Sequence, residues 1–446
     1  MQKVLRVQIE NKRADHYAIL RNRDFLFYLT GRFIASFGSQ MLTVAVGWEL
    51  YERTGSALNL GFVGLTQFIP MVLMTLPAGH LADTRNRKQI ILAMQALLGL
   101  ASVGLAAISI LKLDVMWVYC CLFSAGVART FLWSASASFM PQLVAREDFP
   151  RGVTWSASSF QFSAVTGPAA GGALIALTHD WIVPHSAAVV YLLNAVAAVL
   201  CFTLVSMIRV HHKPVAKQEV TLEGLLGGFS FVFRTPIILG TITLDLFAVL
   251  FGGATALLPV FAKDILHVGP MGLGLLEAAL PVGSLLCALY YAHKPPLEKA
   301  GRSLLIAVII FGAATIGFGL SKLFWLSMLM LFICGFADNI SVLVRHTLVQ
   351  VLTPDAMRGR VSAVNNLFIG TSNELGGFES GFVSHAVNKF YAPRFGANFG
   401  PIVAVVSGGA MTILTVLIVA KVWPELPKFG RLVPKEEKTA EETPPV

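Results

Sequence analysis

Residues 126–152, GVARTFLWSASASFMPQLVAREDFPRG, and residues 335–361, GFADNISVLVRHTLVQVLTPDAMRGRV, are two versions of one pattern. Laid along each other they match Gly126 with Gly335, Ala128 with Ala337 and Arg151 with Arg360, and they set Arg129 opposite Asp338. A second pair, GFVGLTQFIP (61–70) and GLGLLEAALP (272–281), matches Gly61 with Gly272 and Pro70 with Pro281 at nearly the same offset. A shared offset across separate segments marks an internal duplication, with each half of the chain forming one copy.

The surroundings of these segments say what is duplicated. Of the 446 residues, 55% are hydrophobic and 13% are charged, too apolar for a soluble protein of this size. A helix crossing a bilayer takes about 20 apolar residues, so twelve crossings use about 240, close to the number present. The apolar runs are long and continuous, which excludes the short alternating strands of a membrane barrel. The expected fold is therefore an all-α membrane protein with twelve transmembrane helices in two pseudo-symmetric six-helix bundles.

The first span is placed at Phe25 to Tyr51 and the last at Pro401 to Val422. The expected division is an N-terminal segment 1–24, a first bundle 25–208, a central loop 209–236, a second bundle 237–422 and a disordered tail 423–446. Within the loop, Leu222, Leu225, Leu226, Phe229 and Phe233 fall at helical spacing, which predicts an amphipathic helix.

With both termini on the cytoplasmic side, roughly 25 Lys/Arg lie inside and roughly 6 outside, the bias that fixes orientation. The net charge of +9 thus reflects topology and attraction to anionic lipid, and no nucleic-acid partner is expected. The five cysteines fall inside spans without metal-ligand spacing, so neither disulfide, metal nor cofactor is expected. No cleaved signal is expected either. Sequence motifs for a metalloprotease, a nucleotide loop or a nucleophile elbow are missing, which argues against a membrane-embedded enzyme, the least favoured reading.

Charged residues at membrane depth cost about 3 kcal/mol each on insertion scales and call for a partner, a cavity or a task. Spans one, four, seven and ten carry Arg32, Arg129, Asp245 and Asp338, cations in the first half and carboxylates in the second. The expectation is that Arg32 and Asp245, about 12 Å inside the cytoplasmic end, form a gate pair. Arg129 and Asp338 would form a central site where protonation frees Arg129 for an anionic substrate group. Arg345, two turns after Asp338, extends a basic path, while Glu277 and Glu374, with Glu379, are further candidate proton carriers ranked behind Asp338. Gln67 and Trp48 are candidate substrate contacts.

The stretches VGWELYERTGSALNLGFVGL (46–65), GHLADTRNRKQI (79–90) and TLVQVLTPDAMRGRVSAVNNLFIG (347–370) resemble the enterobactin-exporter branch of the major facilitator superfamily. The two parallel halves are the repeat expected of that superfamily. The loop at 79–90 resembles its signature, and the resemblance implies a charge latch between the halves made by Gly79, Asp83, Arg87 and Lys88. Thr84 and Asn86 depart from the common arginine and glycine, which implies a weaker latch. SAVTGPAAGGAL (163–174) resembles the antiporter motif, with Gly167, Pro168, Gly171 and Gly172 allowing a kink and close helix approach.

The resemblance implies a secondary transporter of the bacterial inner membrane, monomeric and proton-coupled, that exports a siderophore or a similar amphipathic anion by alternating access. A macrolide or multidrug efflux antiporter is the alternative.

Overall fold

The structure is a computed structural model that describes residues 18–179, 186–209, 222–294, 298–354 and 357–430. The expected disordered tail, most of segment 1–24 and the start of the central loop lie outside the described residues.

The first half contains α1 (Arg23–Thr54), α2 (Ala57–Thr84), α3 (Arg87–Leu111), α4 (Val115–Leu143), α5 (Phe149–His179) and α6 (Ser186–Ser206). The helix expected in the central loop follows as α7 (Leu222–Arg234). The second half contains α8 (Pro236–Phe251), α9 (Gly269–Ala292), α10 (Ala300–Leu320), α11 (Phe324–Leu352), α12 (Arg358–Phe395) and α13 (Phe399–Val422).

Local chemistry sets the ends of these helices. The Asn22 side chain accepts from the amides of Asp24 and Phe25 at the start of α1, and Gly55 closes that helix at φ 60°, a left-handed turn suited to glycine. Asn86 and Asp114 cap α3 and α4 in the same way as Asn22.

The duplication read from the sequence reappears in the packing. In the first half α4 packs on α2 and α3, α6 on α1 and α3, and α5 on α1; in the second half α11 packs on α9 and α10, α13 on α8 and α10, and α12 on α8. Each contact has its counterpart, and the halves join through α2 against α12 and α5 against α9.

Ten of the described spans are long and apolar enough to cross a membrane on composition alone; α1 and α12 are long but more polar. Both line the space between the halves, with Gln40 and Thr43 from α1 and Asn373 and Glu374 from α12. A helix that faces a cavity between the halves in place of lipid is not required to be apolar on every side.

The sequence expects one uninterrupted seventh span, whereas the structure breaks it. After α8 the chain turns at Gly252 and Gly253, then passes through a 3-10 turn (Ala254–Leu257), a short helical piece with Pro259 and a π-turn (Phe261–Ile265). Gly253 lies against the backbone of Gly376 on α12, where a Cβ has no room.

The buried core shows how the halves meet. Towards the face away from the termini, one cluster draws on both halves, from Val44, Trp48 and Tyr51 to Leu257, Phe261 and Leu273. Towards the termini face the cores are separate. One is built around Phe25, Tyr28 and Phe139, the other around Leu244, Leu304 and Val344. The halves are thus fused on the far side and divided on the termini side.

Candidate functional site

Between the halves lies a cavity of about 390 Å³, within the range of small-molecule sites. Most of its wall is apolar, supplied by residues such as Val46, Val63 and Leu258, and its charged groups are few. Arg129 enters from α4, Glu277 from α9 and Glu374 from α12.

Arg129 donates from its guanidinium to the side-chain oxygen of Gln67 on α2, and to Ser39 Oγ at 3.4 Å. Gly126, one turn earlier on α4, lets that helix close on Gln67 and Pro70, which sets the reach of the guanidinium. Glu374 attracts Arg129 across the cavity without direct ion-pair contact. Its own backbone lies against Gly64, where α2 and α12 cross. The cation therefore belongs to one half and both carboxylates to the other, as the sign pattern of the sequence expects, although they are the lower-ranked candidates Glu277 and Glu374 and not Asp338.

Two expected pairs are absent. Arg32 does not meet Asp245: its guanidinium donates to the Tyr28 hydroxyl at 3.0 Å and the side chain is exposed. Asp245 instead forms a buried ion pair with Arg345, inside the second half. Arg345 is thereby a bundle-interior residue and not part of a path to the surface.

Asp338 does not face Arg129 either. It borders a separate small void with Asp245 and Ser341 inside the second half, and the carboxylates in the cavity are Glu277 and Glu374. Sequence spacing set Asp338 opposite Arg129 in the repeat, yet symmetry-equivalent positions point to equivalent places in their own halves, not to each other. Of the two other candidates, Gln67 lines the cavity while Trp48 is buried in the core.

The signature loop is drawn into its own half. Arg87 is 5% exposed, and its Nε donates to the Ala82 carbonyl at 3.0 Å. Lys88 Nζ donates to the carbonyls of Ser206 and Ile208, both at 2.7 Å, closing the end of α6. Cations at helix C-termini satisfy free carbonyls and oppose the helix dipole. Gly79 lies within α2 and Asp83 in its last turn, and Asp83 has no hydrogen bond or ion pair among the described residues.

The four residues of the antiporter-like motif divide between two faces of α5. Gly167 and Gly171 fit against Gln40 and Met41 of α1, within the half. Gly172 and the Pro168 carbonyl meet Gly274 and Pro270 of α9, across the halves. Pro168 also borders the cavity.

A contact not foreseen from the sequence closes the far side. The Tyr51 hydroxyl, at the end of α1, donates to the Asp264 carboxylate of the π-turn, and Asn398 Nδ2 donates to the Asp264 carbonyl at 2.8 Å. Lys263 Nζ stands 5.7 Å from the Tyr51 ring centre. Tyr51 falls in the stretch 46–65 that carries the family resemblance, but nothing there pairs it with Asp264, so only the break after α8 could have drawn attention to the contact.

A family model described as transmembrane secretion effector matches residues 14–415. The enterobactin exporter EntS of Escherichia coli O1:K1 is 24% identical over 407 residues, covering 91% of this chain and 92% of that one. EntS of Citrobacter koseri is 26% identical over 336 residues, 75% of this chain and 78% of the relative. Among solved structures, a bacterial homologue of the human lysosomal transporter Spinster, inward-facing and occupied, superposes with a TM-score of 0.70 at 15% identity, covering 91% of this chain and 97% of that one. The nucleoside transporter NupG superposes with a TM-score of 0.67 at 14% identity, covering 91% of this chain and 99% of that one. With duplicated six-helix halves around a central cavity and a family match over most of its length, this chain belongs to the transmembrane secretion effector family, as a multi-pass membrane transporter of the major facilitator type.

Proposed function

We propose that the protein is a proton-coupled exporter in the bacterial inner membrane, with both termini in the cytoplasm, working as a monomer on a siderophore or a similar amphipathic anion. The observation that carries this is Arg129, held by Gln67 and Ser39 in a mostly apolar cavity, with Glu277 and Glu374 on the opposite wall. An anionic group binding at Arg129 competes with its attraction to Glu374, which links substrate occupancy to the charge state of that carboxylate. Aromatic parts of the substrate would lie on the apolar wall. Identity to enterobactin exporters over most of the chain supports the substrate class.

The divided core on the termini side corresponds, in this reading, to a cytoplasm-facing state that loads substrate. Alternating access then requires the fused far side to part while the termini side closes.

A macrolide or multidrug antiporter is the second reading, favoured by the apolar wall and the two carboxylates, which suit a lipophilic cation. Efflux from cells lacking and overexpressing the protein separates the two. Retention of a catecholate siderophore in the deletion strain, with unchanged macrolide sensitivity, is the expected result. In the overexpressing strain Arg129→Gln should abolish the siderophore efflux, and normal efflux by that variant overturns the assignment of the anchor.

A further inference from the structure

The repeat that aligns Arg129 with Asp338 also aligns the small voids beside them. In the first half, the void behind Arg129 is bordered by polar groups, among them Ser39, Gln95 and Asn194. In the second half, the void beside Asp338 is bordered by Asp245 and Ser341 and otherwise by apolar side chains such as Val308 and Phe311. None of these second-half residues lines the central cavity.

The charges in this interior do not balance. Asp245 is paired with Arg345, and both side chains are less than one-tenth exposed. Asp338 has no hydrogen bond or ion pair among the described residues, and the buried Nε of Arg345 has no hydrogen-bond partner. Two carboxylates against one guanidinium leave one negative charge among helices that cross a membrane. The other titratable groups around Asp338 are Cys287 from α9, Cys334 on its own helix and His346 beside Arg345, while α10 presents only apolar groups to the void. Among the described residues no further cation borders the void to neutralise Asp338.

We propose that Asp338, half-buried beside the Asp245–Arg345 pair, is a proton-binding site within the second half and separate from the substrate cavity. The proton comes from bulk water and converts the Asp338 carboxylate to the acid; nothing else is made or broken. A proton fits this place and a metal cation does not. The void has room for at most one water, and a hard cation needs several oxygen ligands where only Asp245, Asp338 and Ser341 offer side-chain oxygens. The site goes beyond the reading of the cavity, because its charge changes without any group that touches substrate, and it stands whichever molecule is exported.

Infrared difference spectroscopy on the purified full-length protein in detergent tests this without a substrate. A step from mildly acidic to mildly alkaline buffer should remove a carboxylic-acid carbonyl band. That band should be missing from Asp338→Asn and present in Glu277→Gln and Glu374→Gln. Where Asp338→Asn does not fold, Asp338→Glu decides, with a displaced band expected and an unmoved one overturning the site. A wild-type band retained in Asp338→Asn overturns it, as does the same spectral change produced by sodium at constant pH.

Discussion

Arg129 borders two spaces at once, the central cavity and the polar void of its own half. Its guanidinium spans them because one planar group can donate to Gln67 on one side and Ser39 on the other. A lysine keeps the charge but is a single point donor on a flexible stem. Arg129→Lys should therefore fold normally yet lose one hydrogen bond to a charged group, about 1.5–3 kcal/mol, and raise the substrate KM by about tenfold or more. Concentration-dependent uptake into inside-out vesicles measures this, and an unchanged KM would refute the two-sided hold.

The Asp245–Arg345 pair calls for the opposite kind of test, because it touches no substrate. Removing one partner of a buried pair strands the other charge and costs about 3–5 kcal/mol, whereas replacing both with apolar residues is often neutral. Asp245→Asn should lower the thermal unfolding midpoint in detergent markedly, and Asp245→Leu with Arg345→Met should restore most of it. A double variant as unstable as the single one would show that the pair does more than balance charge.

At the scale of helices, the small residues of α5 divide their work. Gly167 and Gly171 fit α5 against α1 within the first half, while Gly172 faces α9 across the interface that parts in the proposed cycle. Gly172→Leu forces a side chain against the Pro270 carbonyl and the Gly274 backbone, an overpacking cost of about 1–3 kcal/mol that falls on the closed far side only. The variant should fold and open its far face more often, seen as faster labelling of a cysteine introduced at Thr255 on the cavity wall by an impermeant reagent added from that side. Unchanged labelling would place the hinge elsewhere.

The same scale shows what could be read in advance. Twelve spans, the duplication and the opposed signs of the halves follow from hydropathy, offset and charge, which are one-dimensional properties. Which carboxylate faces Arg129 is a matter of helix rotation and tilt, and sequence spacing leaves both open. Asp338 and Glu374 both sit in second-half spans, but only the crossing at Gly64 brings Glu374 to the cavity. The break after α8 was hidden for a related reason, since its residues are as apolar as an unbroken span and only close backbone approach requires the turn. Arg87 and Lys88 look like free arms in the sequence, yet helix ends supply carbonyls that such cations satisfy first.

For the whole molecule, the proposed alternating access makes the balance between its two states depend on contacts made in only one of them. Tyr51 to Asp264 is such a contact, joining the end of the first half's α1 to the π-turn of the second, and the fused apolar core beneath it is another. A ligand or mutation shifts a two-state balance only by its differential effect on the states. Tyr51→Phe removes one hydrogen bond to a carboxylate and leaves the ring in the core, so the loss is about 1.5–3 kcal/mol from the far-closed state alone. That corresponds to a shift of about tenfold to a hundredfold towards far-side opening. Spin labels at the exposed positions Glu52 and His267, on either side of the seam, should report a longer distance population in Tyr51→Phe and in Asp264→Asn, and no added effect in the double variant, since both remove the same bond. Additive shifts would mean that Asp264 holds the seam through Asn398 or Lys263 and that the hydroxyl is incidental.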